Sequence, residues 1–328
     1  MTLASLLRSC GRRAVPLALA GLCIAAQAFD LQGHRGTRGL EPENTLAAFE
    51  RALEIGVTTL EMDAAITADG VVIVSHDPAL HPALTRDAQG AFLRGRGPLI
   101  KTLTFAELQA YDVGRHDASS SYGRQYPLQQ ARDGQKLPAL AAVFARVKAL
   151  GADHVRFDIE TKVFPTRPDE TLAPEPFVRA LLAVIREAGV TDRVMIQSFD
   201  WRTLALVQQL QPGMQTMYLT TRSGNFDTLA DGTWTGGRLL RDFASVGHMV
   251  KAAGGTIWAP NFRNLAEADV RTAQQLGLKV IPWTVNDASD ADRLIGWGID
   301  GIISDYPDRM REVMQKRGMP LPPPLVRR

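Results

Sequence analysis

The chain has 328 residues, 45% hydrophobic and 22% charged, which is too apolar for disorder and too evenly charged for a polyelectrolyte. A balance of 37 basic against 35 acidic side chains speaks against a basic nucleic-acid binder. Its 2 cysteines are too few for a disulfide scaffold or a four-cysteine zinc site.

Residues 1–28 read as a secretory signal peptide. Arg8, Arg12 and Arg13 make a positive start, Ala14 to Ala26 an apolar run, and Ala26-Gln27-Ala28 an A-x-A cleavage site. A run of about 13 residues is too short for a bilayer span, which takes about 20. The expectation is an exported, periplasmic or secreted protein with no stable membrane anchor. Both cysteines, Cys10 and Cys23, fall inside this segment. Its removal takes away three arginines and no acids, turning the net charge of +2 into −1.

Along the rest of the chain, β-rich runs at 30–33, 58–64, 71–76, 154–160, 193–199, 215–219, 256–259, 279–285 and 301–304 predict strands. Helical-period stretches at 45–55, 139–150, 176–188, 201–211, 241–253, 267–276 and 288–297 lie between them. Six of these stop at a glycine (Gly56, Gly151, Gly189, Gly254, Gly277 or Gly298), the residue that ends helices in the left-handed conformation. Such alternation marks a parallel α/β fold. Nine strands are one too many for an eight-stranded barrel. Asp69-Gly70 signals a tight turn, which joins only antiparallel neighbours, so part of 64–76 is expected to be a hairpin. The expected fold is a distorted (β/α)8 TIM barrel. One catalytic domain spans 29–316, with an irregular, glycine-rich insertion at about 80–136 after the third strand. That insertion shows helical character only at 105–111 and is expected to act as a partial lid over the barrel mouth. A Pro-rich segment, 317–328, reads as a loose tail.

Catalytic residues of parallel barrels gather at the C-terminal ends of the strands, and the polar residues here fall there. Glu61 and Asp63 alternate with Met62 and so share one face of a strand. Two carboxylates on one face repel unless a cation or proton lies between them. Glu160 from another strand would complete an oxygen-rich site for Mg²⁺ or Ca²⁺. His34 and His76 flank these acids and suit general acid/base work near neutral pH. Arg35 offers a fork suited to phosphate, and Lys162 adds a second positive charge. The set points to an anionic substrate, and a phosphodiester suits a pair of histidines. His81, His116, His154 and His248 read as loop or structural residues.

In this order, His34-Arg35-Gly36, Pro42-Glu43-Asn44-Thr45, Glu61-x-Asp63, His76-Asp77, Glu160-x-Lys162, Gln197-x-Phe199, Trp283-Thr284-Val285-Asn286 and Gly301-Ile302-Ile303-Ser304-Asp305 resemble the glycerophosphodiester phosphodiesterase family. The resemblance runs from about residue 32 to 307. It implies a TIM barrel of the phosphodiesterase/phospholipase C-like type, and metal-dependent cleavage of small glycerophosphodiesters to sn-glycerol 3-phosphate and an alcohol. It also implies Glu61, Asp63 and Glu160 as ligands of a divalent metal ion, with Glu43 a further ligand, a residue supporting the ligands from behind, or a helix N-terminal acid. His34 and His76 become general base and general acid, and Arg35 and Lys162 phosphate contacts. Phe199 and Trp283 would line the cleft, although Trp283 equally fits barrel packing. Rival readings are a lysophospholipase D or sphingomyelinase D-like lipid phosphodiesterase, favoured by an apolar entrance, and an exported protein that binds organophosphates without turnover. Nothing in the composition defines an oligomeric state.

Overall fold

The computed structural model describes residues 29–224 and 226–326, so the expected signal peptide lies outside the described residues. β1 (Asp30–Gly33) leads into α1 (Leu46–Ile55), and β2 (Thr59–Ile66) turns back through β3 (Val72–Val74). The insertion follows and carries two short helices, α2 (Phe105–Leu108) and α3 (Ser121–Gln125). Alternation resumes with α4 (Leu140–Ala149), β4 (Arg156–Thr161), α5 (Pro174–Glu187), β5 (Val194–Ser198), α6 (Trp201–Leu210) and β6 (Gln215–Thr220). A small hairpin, β7 (Arg222–Ser223) and β8 (Phe226–Asp227), comes next. The chain then runs through α7 (Val246–Ala252), β9 (Ile257–Pro260), α8 (Glu267–Gln275), β10 (Lys279–Val280), α9 (Ala288–Gly296), β11 (Gly301–Ser304) and α10 (Pro307–Lys316).

Eight strands pair in parallel in the order β10-β9-β6-β5-β4-β2-β1-β11. Bonds from Asp300 N to Val280 O (2.9 Å) and Ile303 N to Pro282 O (3.1 Å) join the two ends. The result is the expected (β/α)8 barrel. The ninth strand is the return arm of the hairpin: β3 runs antiparallel to β2, with Ala64 opposite Val74 and Ile66 opposite Val72. In barrel order the insertion therefore separates the second and third staves. All six glycines expected to stop helices take positive φ, from 67° at Gly189 to 88° at Gly56.

Several expectations need correction. The strand expected at 279–285 is continuous only over Lys279–Val280, with a separate bridge from Trp283 to Asn261, because Pro282 between them has no N–H to give a ladder. The helix expected from 241 begins at Val246, where Ser245 accepts a bond from His248 N at 3.3 Å and caps it. Helix α10, with Pro307 in its first turn, was not among the expected helices. Over its described residues, 317–326, the tail is docked rather than loose. Leu325 N donates to Leu53 O at 2.8 Å, Arg311 donates to Pro322 O at 2.7 Å, and Met319 and Leu325 pack on the core. Burial of two apolar side chains outweighs the ordering of a stretch already stiffened by four prolines. Among the described residues no helix is long and apolar enough to cross a membrane.

Strand alternation produces two separate interiors. Outward residues such as Leu60, Met62, Phe157, Ile159, Ile196 and Tyr218 pack under the helices. Inside the barrel, Met195, Met217, Leu219, Ile257, Ala259, Ile281 and Ile303 form one apolar cluster. The rest of the barrel interior, on β1, β2 and β4, is polar: Gln32, Thr59, Glu61, Asp63, Asp158 and Glu160 are all buried. Gln197 on β5 marks the seam, two residues beyond Met195. The rigidity of this polar half depends on the outer packing. Phe157 is fully buried, with its ring 4.8 Å from that of Phe144. Phe157→Ala is expected to cost about 3–5 kcal/mol in urea unfolding; a loss below about 1 kcal/mol would mean that the helices close the gap.

Candidate active site

Strand β2 sends Glu61 and Asp63 inward, and its register with β4 sets Asp63 opposite Glu160. One oxygen from each of these three carboxylates lies within 4.8 Å of the others, and all three residues are buried. Asp63 Oδ1 is buried and accepts no well-formed hydrogen bond, with only Lys162 Nζ facing it at 3.3 Å. Clustered hard oxygens with one open acceptor fit a divalent cation. The side chains around the trio hold it in place. Gln197 donates to Glu61 Oε1 and the Arg35 backbone N–H to Glu61 Oε2, each at 2.7 Å. Asn44 donates to Asp63 Oδ2 at 2.8 Å. Lys162 Nζ stands 2.9 Å from Glu160 and 3.3 Å from Asp63.

The loop after β1 carries His34 and Arg35. His34 Nδ1 lies 2.6 Å from Asp305 Oδ1, and its Nε2 faces Glu61 at 3.9 Å. Arg38 grips both oxygens of Asp305, at 2.8 and 3.1 Å, and Asn286 adds a bond at 2.8 Å. Arg35 reaches Asp63 at 3.2 Å and Glu43 at 2.7 Å. Glu43 lies outside the acidic trio, its oxygens engaged by Arg35 and by the Tyr122 hydroxyl. His76 follows β3, its Nδ1 2.7 Å from Asp77, and keeps 31% of its side chain open to solvent.

Across the mouth, Phe199 and Trp283 meet edge to face at 5.3 Å. Phe226 of β8 and Trp234 extend the wall, at 5.3 and 6.3 Å from Phe199. Trp283 also packs against the apolar barrel interior and donates to Ala259 O at 2.9 Å, so cleft lining and core packing coexist in one side chain. All ten expected site residues thus lie at one end of the barrel.

The glycerophosphoryl diester phosphodiesterase family model matches residues 34–309. The chain belongs to that family. A glycerophosphodiester phosphodiesterase from Bacillus subtilis is 31% identical over 285 residues, which is 85% of this chain and 84% of the relative. A crystal structure from Silicibacter pomeroyi superposes with a TM-score of 0.81 at 34% identity, covering 90% of this chain and 95% of its own. A phosphodiesterase from Oleispira antarctica, solved with the product sn-glycerol-3-phosphate, shares the fold at a TM-score of 0.64 and 22% identity, covering 87% of this chain and 96% of its own.

Electrostatics divide the enzyme's titratable groups. Burial and the neighbouring Asp63 raise the Glu61 carboxyl well above its usual range, while burial lifts Glu160 to about 7 against the pull of Lys162. Asp63 goes the other way: burial opposes its charge, but Lys162 and Arg35 override it and hold the carboxyl low. Burial, then Arg38, lowers His34 to about 4; burial, then Arg35 and Lys162, does the same at His76. Both imidazoles are therefore neutral at neutral pH. Without a cation, Glu160 stays protonated up to about pH 7 and Glu61 is raised as well, and a divalent cation must displace these protons. Below about pH 7, affinity for Mg²⁺ or Ca²⁺ is expected to rise by at least about tenfold per pH unit. Calorimetry at several pH values measures this; constant affinity from about pH 5 to 7 would mean the trio binds no proton.

Sequence reasoning missed Arg38, Tyr122, Tyr126, Phe226 and Trp234. Arg38 lies four residues after His34, but its partner Asp305 is 267 residues away, and no local pattern signals that contact. Asp305, Asn286, Asn44 and Gln197 stand inside the recognised motifs without a separate role drawn from them.

Proposed function

We propose that the enzyme hydrolyses glycerophosphodiesters to sn-glycerol 3-phosphate and an alcohol, with His34 and His76 as the proton-transfer pair. The carrying observation is two imidazoles, each oriented by a carboxylate through Nδ1, beside a buried acidic trio and two cations. Arg35 and Lys162 attract and orient the phosphodiester. An oxygen nucleophile attacks phosphorus as the phosphorus–oxygen bond to the alcohol breaks. Neutral His34 takes the nucleophile's proton, and Asp305 stabilises the imidazolium that forms. His76 gives a proton to the departing alkoxide. Burial, then Arg35 and Lys162, keeps His76 unprotonated in the free enzyme; the bound diester's negative charge offsets the two cations and favours the protonated form. A divalent cation held by Glu61, Asp63 and Glu160 supplies Lewis-acid polarisation of the phosphoryl oxygens when bound.

A small polar substrate is favoured over a lysolipid by the insertion's own packing. Leu80, Ile100, Leu108 and Leu137 turn inward to a separate core. Leu128 is its one large hydrophobic exposed among the described residues, at 50%. Retention of a proton-transfer pair argues against a purely binding role. The test incubates purified protein with glycerophosphocholine and with a lysolipid, with and without EDTA. Release of glycerol 3-phosphate from the former, lost on chelation, supports the reading; release from neither favours an organophosphate binder. Phosphorus NMR during turnover distinguishes attack by water from attack by the glycerol's own hydroxyl, which passes through a cyclic phosphate. Export is proposed from residues 1–28 alone, and a mature N-terminus at or near Phe29 in the exported protein tests it.

A further inference from the structure

The insertion touches the loop after β1 at several points. Gln129 Nε2 donates to Arg38 O, and Gln130 N to Leu40 O, each at 2.7 Å. Arg132 grips the Glu41 carboxylate with two bonds, at 2.7 and 2.8 Å. Tyr122 donates to Glu43. The Tyr126 ring lies under the Arg38 guanidinium, 4.8 Å from ring centre to carbon, and its hydroxyl comes within 3.4 Å of Asp305. The two tyrosine rings brace each other at 4.8 Å. The loop held this way is bracketed by two non-glycine residues at positive φ, Arg35 at 49° and Asn44 at 56°. Such conformations persist only where the surroundings enforce them.

We infer that Tyr122 and Tyr126 are positioning residues for the reaction, acting on different parts of it through two separate chains of contact. Tyr126 fixes Arg38, which fixes Asp305, which orients His34. Tyr122 fixes Glu43, which orients Arg35 toward the phosphate. The two contacts also differ in kind. Tyr122 acts through its hydroxyl, engaged with Glu43 deep in the site. Tyr126 acts through its ring face under a cation, since its hydroxyl contact is long. Simple bracing of the fold would not separate these two roles; altered kinetics should. The proposal rests on the proton-transfer role proposed for His34.

The test is steady-state kinetics on glycerophosphocholine, with circular dichroism to confirm folding. Tyr126→Leu keeps bulk but removes the ring face; it should lower kcat about 10- to 100-fold at nearly constant KM. Tyr126→Phe restores the ring and should recover most of that kcat. Tyr122→Phe should instead raise KM several-fold, because Arg35 loses its brace, with a smaller change in kcat. Equal losses in Tyr126→Leu and Tyr126→Phe, or wild-type kcat in folded Tyr126→Leu, overturn the inference. Should Tyr126→Leu fail to fold, Arg38→Met tests the same chain from its other end. A kcat loss at constant KM supports the inference, and a KM rise at constant kcat overturns it. Wild-type turnover in the same assay separates the two ideas. Its absence removes the phosphodiesterase reading and the positioning roles with it, whereas normal turnover with an indifferent Tyr126→Leu removes the positioning roles alone.

Discussion

His34→Ala should lower kcat on glycerophosphocholine by about 10²–10⁴-fold, the usual worth of a positioned general acid or base. The fold should survive. His34 ties the loop to the barrel through its backbone N–H, which donates to Ser304 O at 2.9 Å and is untouched by the substitution. Asp305 would not be stranded as a buried charge, because Arg38 and Asn286 still bind it. An imidazole-sized space beside Asp305 should also admit free imidazole, which would return part of the activity. Measured kcat with and without imidazole decides the matter; near-wild-type turnover in His34→Ala would sink the proton-transfer assignment.

Asp63→Asn should have a comparable effect for a different reason. Asp63 supplies one oxygen of the acidic trio and also faces both site cations, Lys162 at 3.3 Å and Arg35 at 3.2 Å. Losing its charge weakens divalent-cation binding and loosens both phosphate contacts at once, so a loss of at least about 100-fold in kcat/KM is expected. The stability cost should stay below the about 3–5 kcal/mol typical of an abandoned buried partner. Lys162 keeps Glu160 at 2.9 Å, and Arg35 keeps Glu43 at 2.7 Å. Titration of activity with Mg²⁺ and Ca²⁺ after EDTA treatment tests the prediction. A variant with wild-type cation response would remove Asp63 from the site.

Much of this arrangement was legible in the chain itself. Period-two alternation put Glu61 and Asp63 on one face, and helix-ending glycines marked the beats of the barrel. Asp69-Gly70 explained why one strand too many could still make eight staves. What escaped was set by partners far apart in sequence. Tyr122 and Glu43 are 79 residues apart, and Tyr126 and Asp305 are 179; neither pair leaves a local periodic signal. The described tail, 317–326, departs from its sequence pattern for a related reason. Its prolines read as a loose end, whereas the decisive term is the seat that α1 and α10 offer Met319 and Leu325. Pro282 was visible, but its effect on the ladder was overlooked in an otherwise β-rich run.

The divided barrel interior bears on how such an enzyme can change. Along β1, β2 and β4 the inward residues other than Asp158 are held by ion pairs and hydrogen bonds, so replacing one disturbs several partners and most variants are lost. The methionine, leucine and isoleucine side chains on the other staves, together with Phe199, meet their neighbours chiefly by shape, and Trp283 adds a single bond to Ala259 O. Volume-conserving exchanges there are tolerated one at a time. New alcohol groups should therefore be acquired by drift in the hydrocarbon half, while the reacting phosphate stays under the control of a half that can scarcely vary. One fold would hold the chemistry constant and leave selectivity free to evolve.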